Sequence, residues 1–113
     1  MKIIAESINF NEIEVMAGNF FGDMVKAVVD VERELLAVDA ELHADLEKLL
    51  IENGSKQAGL WGINFYPKLE EAQWVEFDSM INMRPSQGNR SRGVENEAVR
   101  NQILTVVKKR VKR

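Results

Sequence analysis

Three stretches of this chain alternate apolar and polar residues one by one, and that period of two constrains the fold more than any other feature. Over 75–84, Val75, Phe77, Ile81 and Met83 alternate with Glu76, Asp78, Asn82 and Arg84, until Pro85 interrupts. Over 25–32, Val25, Ala27, Val29 and Val31 alternate with Lys26, Val28, Asp30 and Glu32. Over 60–66, Trp61, Ile63 and Phe65 share one side, Gly62, Asn64 and Tyr66 the other, and Pro67 is the stop. Successive side chains of a strand point to opposite faces, so each stretch offers one apolar face to a core and one polar face away from it.

Something must cover the apolar faces, and two segments carry the helical period that can do so. Asn9 is placed as an N-cap with Glu12 three positions on, a capping box, and Ile8 and Ile13 flank it as a hydrophobic staple. Ile13, Met16, Ala17 and Phe20 continue the stripe, and Gly22 suits the stop. Gly18 inside that helix costs about 1 kcal/mol relative to alanine, which predicts close packing against it. The second helix starts at the cap Asn96 with Glu97 in its first turn. It buries Val99, Ile103, Val106 and Val107, flanked by Leu104 and Val111. The basic residues Lys108, Lys109, Arg110, Lys112 and Arg113 oppose the negative end of its dipole. Residues 2–5 read as a short edge strand.

Residues 33–54 support two readings. Leu42, Leu46, Leu49 and Leu50 have helical spacing, with Gly54 as a terminator. Against this, Asp39-Ala40 reads as a turn and Asn53-Gly54 as a hairpin signal, which makes 42–47 a strand. The expectation is therefore α+β: a four-stranded antiparallel meander with the N- and C-terminal helices packed on one face. The alternative makes 42–53 a third helix. The opposite sheet face would carry Lys26, Asp30, Glu32, His43, Asp45, Glu47, Asn64, Tyr66, Glu76, Asp78, Asn82 and Arg84.

With 113 residues and an ordinary apolar fraction, the chain suits one domain, 1–113. It has no cysteine, which excludes disulfides and thiolate-bound metal clusters. The start, MKIIAESINF, is too short in apolar residues for a signal peptide, and no run is long enough to span a membrane. A cytoplasmic protein without membrane association is expected. The charge is uneven: residues 1–79 carry 6 Lys and Arg against 16 Asp and Glu, whereas 80–113 carry 9 against 2. Either the basic third folds over the acidic part or it meets a partner, and a homo-oligomer is expected.

Two constellations carry candidate chemistry. In a strand reading, His43, Asp45 and Glu47 share a face, with Asp30 and Asp78 on neighbouring strands. Carboxylates with an imidazole could hold magnesium, manganese or calcium. The plain alternative is a solvated polar face. No cofactor is expected, and a divalent metal is the exception kept open. The second constellation is the loop after the last strand, where Arg84, Gln87, Asn89, Arg90 and Arg92 could bind an anion or a partner, the arginines in bidentate fashion. Loops of this composition also bond to their own backbone, and the arginines could answer the acidic face. The basic helix lacks the interleaved aromatics of a nucleic-acid platform, so nucleic acid is disfavoured. No serine elbow, Cys–His pair or glycine-rich dinucleotide fingerprint is present.

The stretches FFGDMVKAVVDVE, ELHADLE, the ENGSKQ…LWGINFYP run and EFDSMINMRPSQGNRSR together span roughly residues 20–92. On them the chain resembles a small prokaryotic family catalogued only as a domain of unknown function. The resemblance implies one compact domain and no particular activity, substrate or cofactor. Members carry Gly-Gly where this chain has Asp39-Ala40, so it also implies a turn there. The leading expectation is a non-enzymatic binding or interaction module that self-associates. The alternative is a divalent-metal-assisted enzyme acting on a phosphorylated or other anionic substrate, in which Arg84, Arg90 and Arg92 clamp the anion.

Overall fold

Asn9 and Glu12 satisfy each other at the start of the first helix, α1 (Phe10–Asn19). The Asn9 side chain accepts from the Asn11 N–H at 2.8 Å, and Glu12 accepts from the Asn9 N–H at 3.0 Å. Ile8, Ile13, Met16 and Ala17 are buried in one core, as the staple and stripe predict, whereas Phe20, the last residue expected in the stripe, lies past the helix end and is exposed. The helix ends at a bend where Gly22, at φ 85°, donates to the Ala17 carbonyl at 2.6 Å. Gly18 corrects the expectation of close packing: no atom lies within 4 Å of where its Cβ would be.

The computed structural model describes residues 1–113. Its strands are β1 (Lys2–Ile4), β2 (Ile8–Asn9), β3 (Val25–Asp30), β4 (Leu35–Val38), β5 (Leu60–Phe65), β6 (Val75–Glu76) and β7 (Val111–Lys112). Its further helices are α2 (His43–Glu52) and α3 (Glu97–Arg110). Five strands form one antiparallel sheet in the order β1-β4-β3-β5-β6, and β2 pairs in parallel with β7 in a separate ribbon. No helix is long and apolar enough to cross a membrane.

The α+β class and the antiparallel sheet are as expected, with five strands instead of four. The meander is not formed, and the reason lies in β3. It is antiparallel to both β4 and β5, so those two run parallel to each other on either side of it. Parallel strands cannot be joined by a tight turn and need a crossover. That crossover is α2, which makes the helix reading of 42–53 the correct one. Leu46 and Leu50, one turn apart, are fully buried. Asn53-Gly54 terminates this helix: Gly54 has φ 108° and Ser55 N–H donates to the Leu50 carbonyl at 2.9 Å.

Helices therefore cover both sheet faces. Val25, Ala27, Val29, Trp61, Ile63 and Phe65 pack under α1 and α3. Val28, Leu35, Ala37 and Leu60 pack under α2 with Leu46 and Leu50. The face expected to be solvated is thus apolar beneath α2 and polar at its two ends, with Lys26, Asn64 and Glu76 at one and Asp30 at the other. The β3–β4 hairpin turns at 31–34, where Glu34 adopts φ 56°. The Asp30 carboxylate accepts from the Glu32 and Arg33 N–H groups and from the Ser55 hydroxyl, and so holds the turn. The bend implied at 39–40 is present, with Asp39 at φ 75°, a conformation in which glycine is unstrained.

The expected strand over 75–84 stops after Glu76 and becomes two short 3-10 turns, Met80–Asn82 and Pro85–Gln87. β6 therefore covers only the Asn64–Phe65 end of β5.

Candidate functional site

Where β6 ends, the outer edge of β5 is closed by side chains. The Asn82 amide lies against Gly62 as a strand would: its Oδ1 accepts from the Gly62 N–H at 2.8 Å, and its Nδ2 donates to the Gly62 carbonyl at 2.9 Å. The same Nδ2 donates to the Arg92 carbonyl at 2.9 Å. Further along, Arg84 donates to the carbonyls of Leu60, at 2.6 Å, and Gln57, with its guanidinium 4.1 Å from the Trp61 ring centroid. Asn89 gathers the loop by donating to the carbonyls of Asn82, Ser91 and Gly93 and accepting from the Glu95 N–H. Gln87 donates to the Ala58 carbonyl at 3.2 Å. Arg84, Gln87 and Asn89 are thus committed to backbone groups. The Glu95 carboxyl is held below its ordinary range by the Arg90 and Ser91 N–H groups.

The residues left over converge at the start of α2, on one polar end of the sheet face. Lys26, Asn64 and Glu76 are cross-strand neighbours on β3, β5 and β6. They floor a cleft of about 420 Å³, together with His43, Tyr66, Asp78 and Arg92. Met80, 65 % exposed, and Leu42, 56 % exposed, form part of its rim. Asn64 Nδ2 donates to Glu76 at 2.9 Å and to the Asp78 carbonyl at 3.2 Å, and Tyr66 donates to Glu76 at 3.1 Å. Arg92 pairs with Asp78 at 2.7 Å. Asn64 Oδ1 is buried and has no hydrogen-bond partner, although the amide lies close enough to His43 to favour a proton there. Burial, then the Glu76 carboxylate, raises the Tyr66 phenol above its ordinary range.

His43 Nε2 lies 2.8 Å from the Ile63 carbonyl oxygen. A carbonyl only accepts, so Nε2 carries the hydrogen and the neutral ring keeps its lone pair on Nδ1. Burial lowers the imidazole below its ordinary 6.5, with Lys26 adding to the effect, while the Ile63 carbonyl and Asp78 oppose it. Because the unfolded chain takes up this proton at higher pH than the folded one, stability is expected to be lost as pH falls from 6.5 through the folded value. His43→Gln removes that component of the pH dependence. Denaturant midpoints of parent and variant on both sides of this window check it. As the chain has one histidine, an imidazole NMR titration with a midpoint at or above 6.5 would contradict it.

Of the metal candidates, only His43 and Asp78 share this cleft. Asp30 is bound in its turn, Asp45 is exposed in the first turn of α2, and Glu47 acts on the buried Arg84 charge. No three His, Asp or Glu side chains come together in a metal-holding group. Of the anion candidates, Arg92 reaches the cleft, while Arg90 is exposed on the loop. The basic third of the chain does answer the acidic part in two pairs, Arg92–Asp78 and Lys109–Glu34.

The family described as "Protein of unknown function (DUF5674)" matches residues 2–110, which takes in every element from β1 to α3. The chain belongs to the DUF5674 family. No curated protein and no solved structure matches it. In this DUF5674 chain Lys26, Asn64, Tyr66 and Glu76 are cleft residues that the sequence places on the polar sheet face without marking them as a site. They are visible as polar members of the period-two strands, and the missing information is the register that sets them side by side.

Proposed function

We propose that this protein is a non-enzymatic binding module whose ligand, a small polar molecule carrying charges of both signs, such as an amino acid, sits in the cleft at the start of α2. The observation that carries the reading is Asn64, whose nitrogen is committed to Glu76 and Asp78 and whose buried oxygen has no partner. An unpartnered buried oxygen costs about 1–3 kcal/mol, which a ligand donor recovers. Lys26 and Arg92 line the cleft together with Glu76 and Asp78, so that both signs of charge are present, which suits a zwitterion better than a plain anion. The unbranched Met80 side chain on the rim adapts to what enters. Self-association through the outer edge of β1 belongs to the same reading, since that strand ends the sheet.

Thermal-shift measurements and the His43 imidazole signals test this with amino acids, nucleosides, inorganic phosphate, magnesium and manganese. The expected result is that amino acids raise the melting temperature and move the His43 signals together, as a ligand of the folded state must. A panel that leaves the His43 signals unmoved at saturation overturns the binding reading. A response to manganese alone favours the metal-assisted enzyme instead. Light scattering that finds only monomer, at all concentrations and salt levels, removes the self-association.

A further inference from the structure

We propose a second ligand site, separate from the cleft: a pocket of about 400 Å³ beside Trp74 at the end of α3, which takes a small carboxylate on an apolar body. The last turn of α3 and the strand after it supply two kinds of side chain at helical spacing. Val107 and Val111 form an apolar wall, and Lys108 and Lys112 stand at the rim. The parallel pairing of β7 with β2, Ile8 with Val111 and Asn9 with Lys112, fixes this segment against the start of α1. Opposite lies Trp74, stacked on Phe65 at 4.7 Å and tilted against Phe10 at 5.4 Å between centroids.

Two independent observations select the ligand. The first is that Trp74 is only 6 % exposed and its buried indole N–H has no acceptor. The second is the charge. Lys108, Lys112 and Arg113 line the pocket, and none of them takes part in the three ion pairs of the chain. Glu71 is the one acid in the lining. An indole N–H, an ammonium and a guanidinium are all donors without acceptor capacity. The pocket is therefore rich in donors and positive charge, and what suits it is an acceptor with a negative end group. The favourable dipole at the end of α3 accounts for the lysines as helix residues, but not for the unpartnered indole. The Arg113 guanidinium now lies 4.5 Å from the Phe10 centroid and 5.6 Å from that of Trp74. From there it is within reach of a carboxylate bound beside Trp74.

Octanoate and octanol, which share an alkyl body and differ in charge, are the probes. With the full chain, octanoate is expected to shift the Trp74 indole N–H signal saturably and leave that of Trp61 in place. Octanol is expected to bind at least about tenfold more weakly, a difference of roughly 1.4 kcal/mol. The double variant Lys108→Gln, Lys112→Gln removes two exposed charges without setting acids at the negative end of α3, and is expected to weaken octanoate by a similar factor with only a small fall in melting temperature. Leu104→Glu, on the exposed side of the same pocket, is expected to do likewise. Equal binding of octanoate and octanol overturns the proposal, as does octanoate binding that survives both sets of variants. An absence of any saturable shift at Trp74 also overturns it. Octanoate that moves the His43 signals and not Trp74 assigns the ligand to the other cleft and overturns the second site.

Discussion

Asn82→Leu is expected to destabilise the protein by about 2–6 kcal/mol, because it strands two buried backbone groups at about 1–3 kcal/mol each. Those groups are the N–H and carbonyl of Gly62, whereas the Arg92 carbonyl loses the Asn82 donor but keeps the Ser79 N–H. Leucine is apolar and has the same branching and number of side-chain heavy atoms, so the loss is chiefly one of hydrogen bonding. Asn82→Asp separates the two halves of the interaction. It keeps an acceptor for the Gly62 N–H but sets a carboxylate oxygen against two carbonyls. Burial and those carbonyls raise the folded-state pKa of such a carboxyl above its unfolded value, and the protonated form is a donor. The Asn82→Asp variant should therefore regain stability relative to the parent as pH falls, while the leucine variant shows no such recovery. Chemical denaturation at neutral and acid pH measures both, and hydrogen exchange at the Gly62 amide locates the change. A leucine variant within about 1 kcal/mol of the parent would mean that the β5 edge is satisfied in some other way.

The same asparagine shows why part of the fold is legible in the sequence and part is not. The ends of α1 and α3 are written in caps that act over three residues, Asn9 with Glu12 and Asn96 with the Val99 N–H, so local reasoning reaches them. β3 has the period of two and a partner strand on both sides for most of its length, and β5 has the same period with β3 along the whole of one edge. Residues 75–84 have the same period, yet only Val75–Glu76 is a strand. Asn82 and Arg84 alternate with Ile81 and Met83 because they reach inward to the β5 edge from 3-10 turns, and sequence does not separate a side chain that imitates a strand from one that sits on it. The β3–β4 hairpin is hidden because its turn has no glycine or asparagine. Glu34 takes the left-handed conformation there, held by the Asp30 carboxylate and by Arg110 donating to the Glu34 carbonyl at 2.8 Å from the far end of the chain. At the candidate site, His43, Asp78 and Arg92 stand out in the sequence and do line the cleft. Arg84, Gln87 and Asn89 stand out on the same donor chemistry and serve the backbone. The chemistry that binds a ligand and the chemistry that binds a carbonyl are one, so only the fold could divide these residues into two groups.

Gly62→Val is expected to cost about 3 kcal/mol or more, and Gly62→Ala about 1–3 kcal/mol, because neither has room for its first carbon. A Cβ at this position would stand 2.5 Å from Ser79 Cβ, 2.6 Å from Ser79 Oγ and 3.2 Å from His43 Cδ2. Intrinsic propensity pulls the other way: glycine within a strand is worse than alanine by about 0.5–1 kcal/mol. The clash outweighs it because Ser79 is itself buried and tied to the Arg92 carbonyl through its N–H at 2.9 Å, so it cannot move aside. Gly18→Ala supplies the reverse case. That site is exposed and empty, and the substitution should stabilise α1 by about the propensity difference. The cost at position 62 should be coupled to Ser79: in a double-mutant cycle, Ser79→Gly, which removes the colliding carbon, is expected to recover about 1 kcal/mol or more of the Gly62→Ala loss. Additive losses would place the strain elsewhere. The His43 signals should shift in Gly62→Ala even where the chain remains folded, because the imidazole is the other neighbour of the added carbon. A glycine in the middle of β5 is therefore what lets the start of α2 approach the sheet, and the depth at which His43 sits over Ile63 depends on a missing side chain as much as on those present.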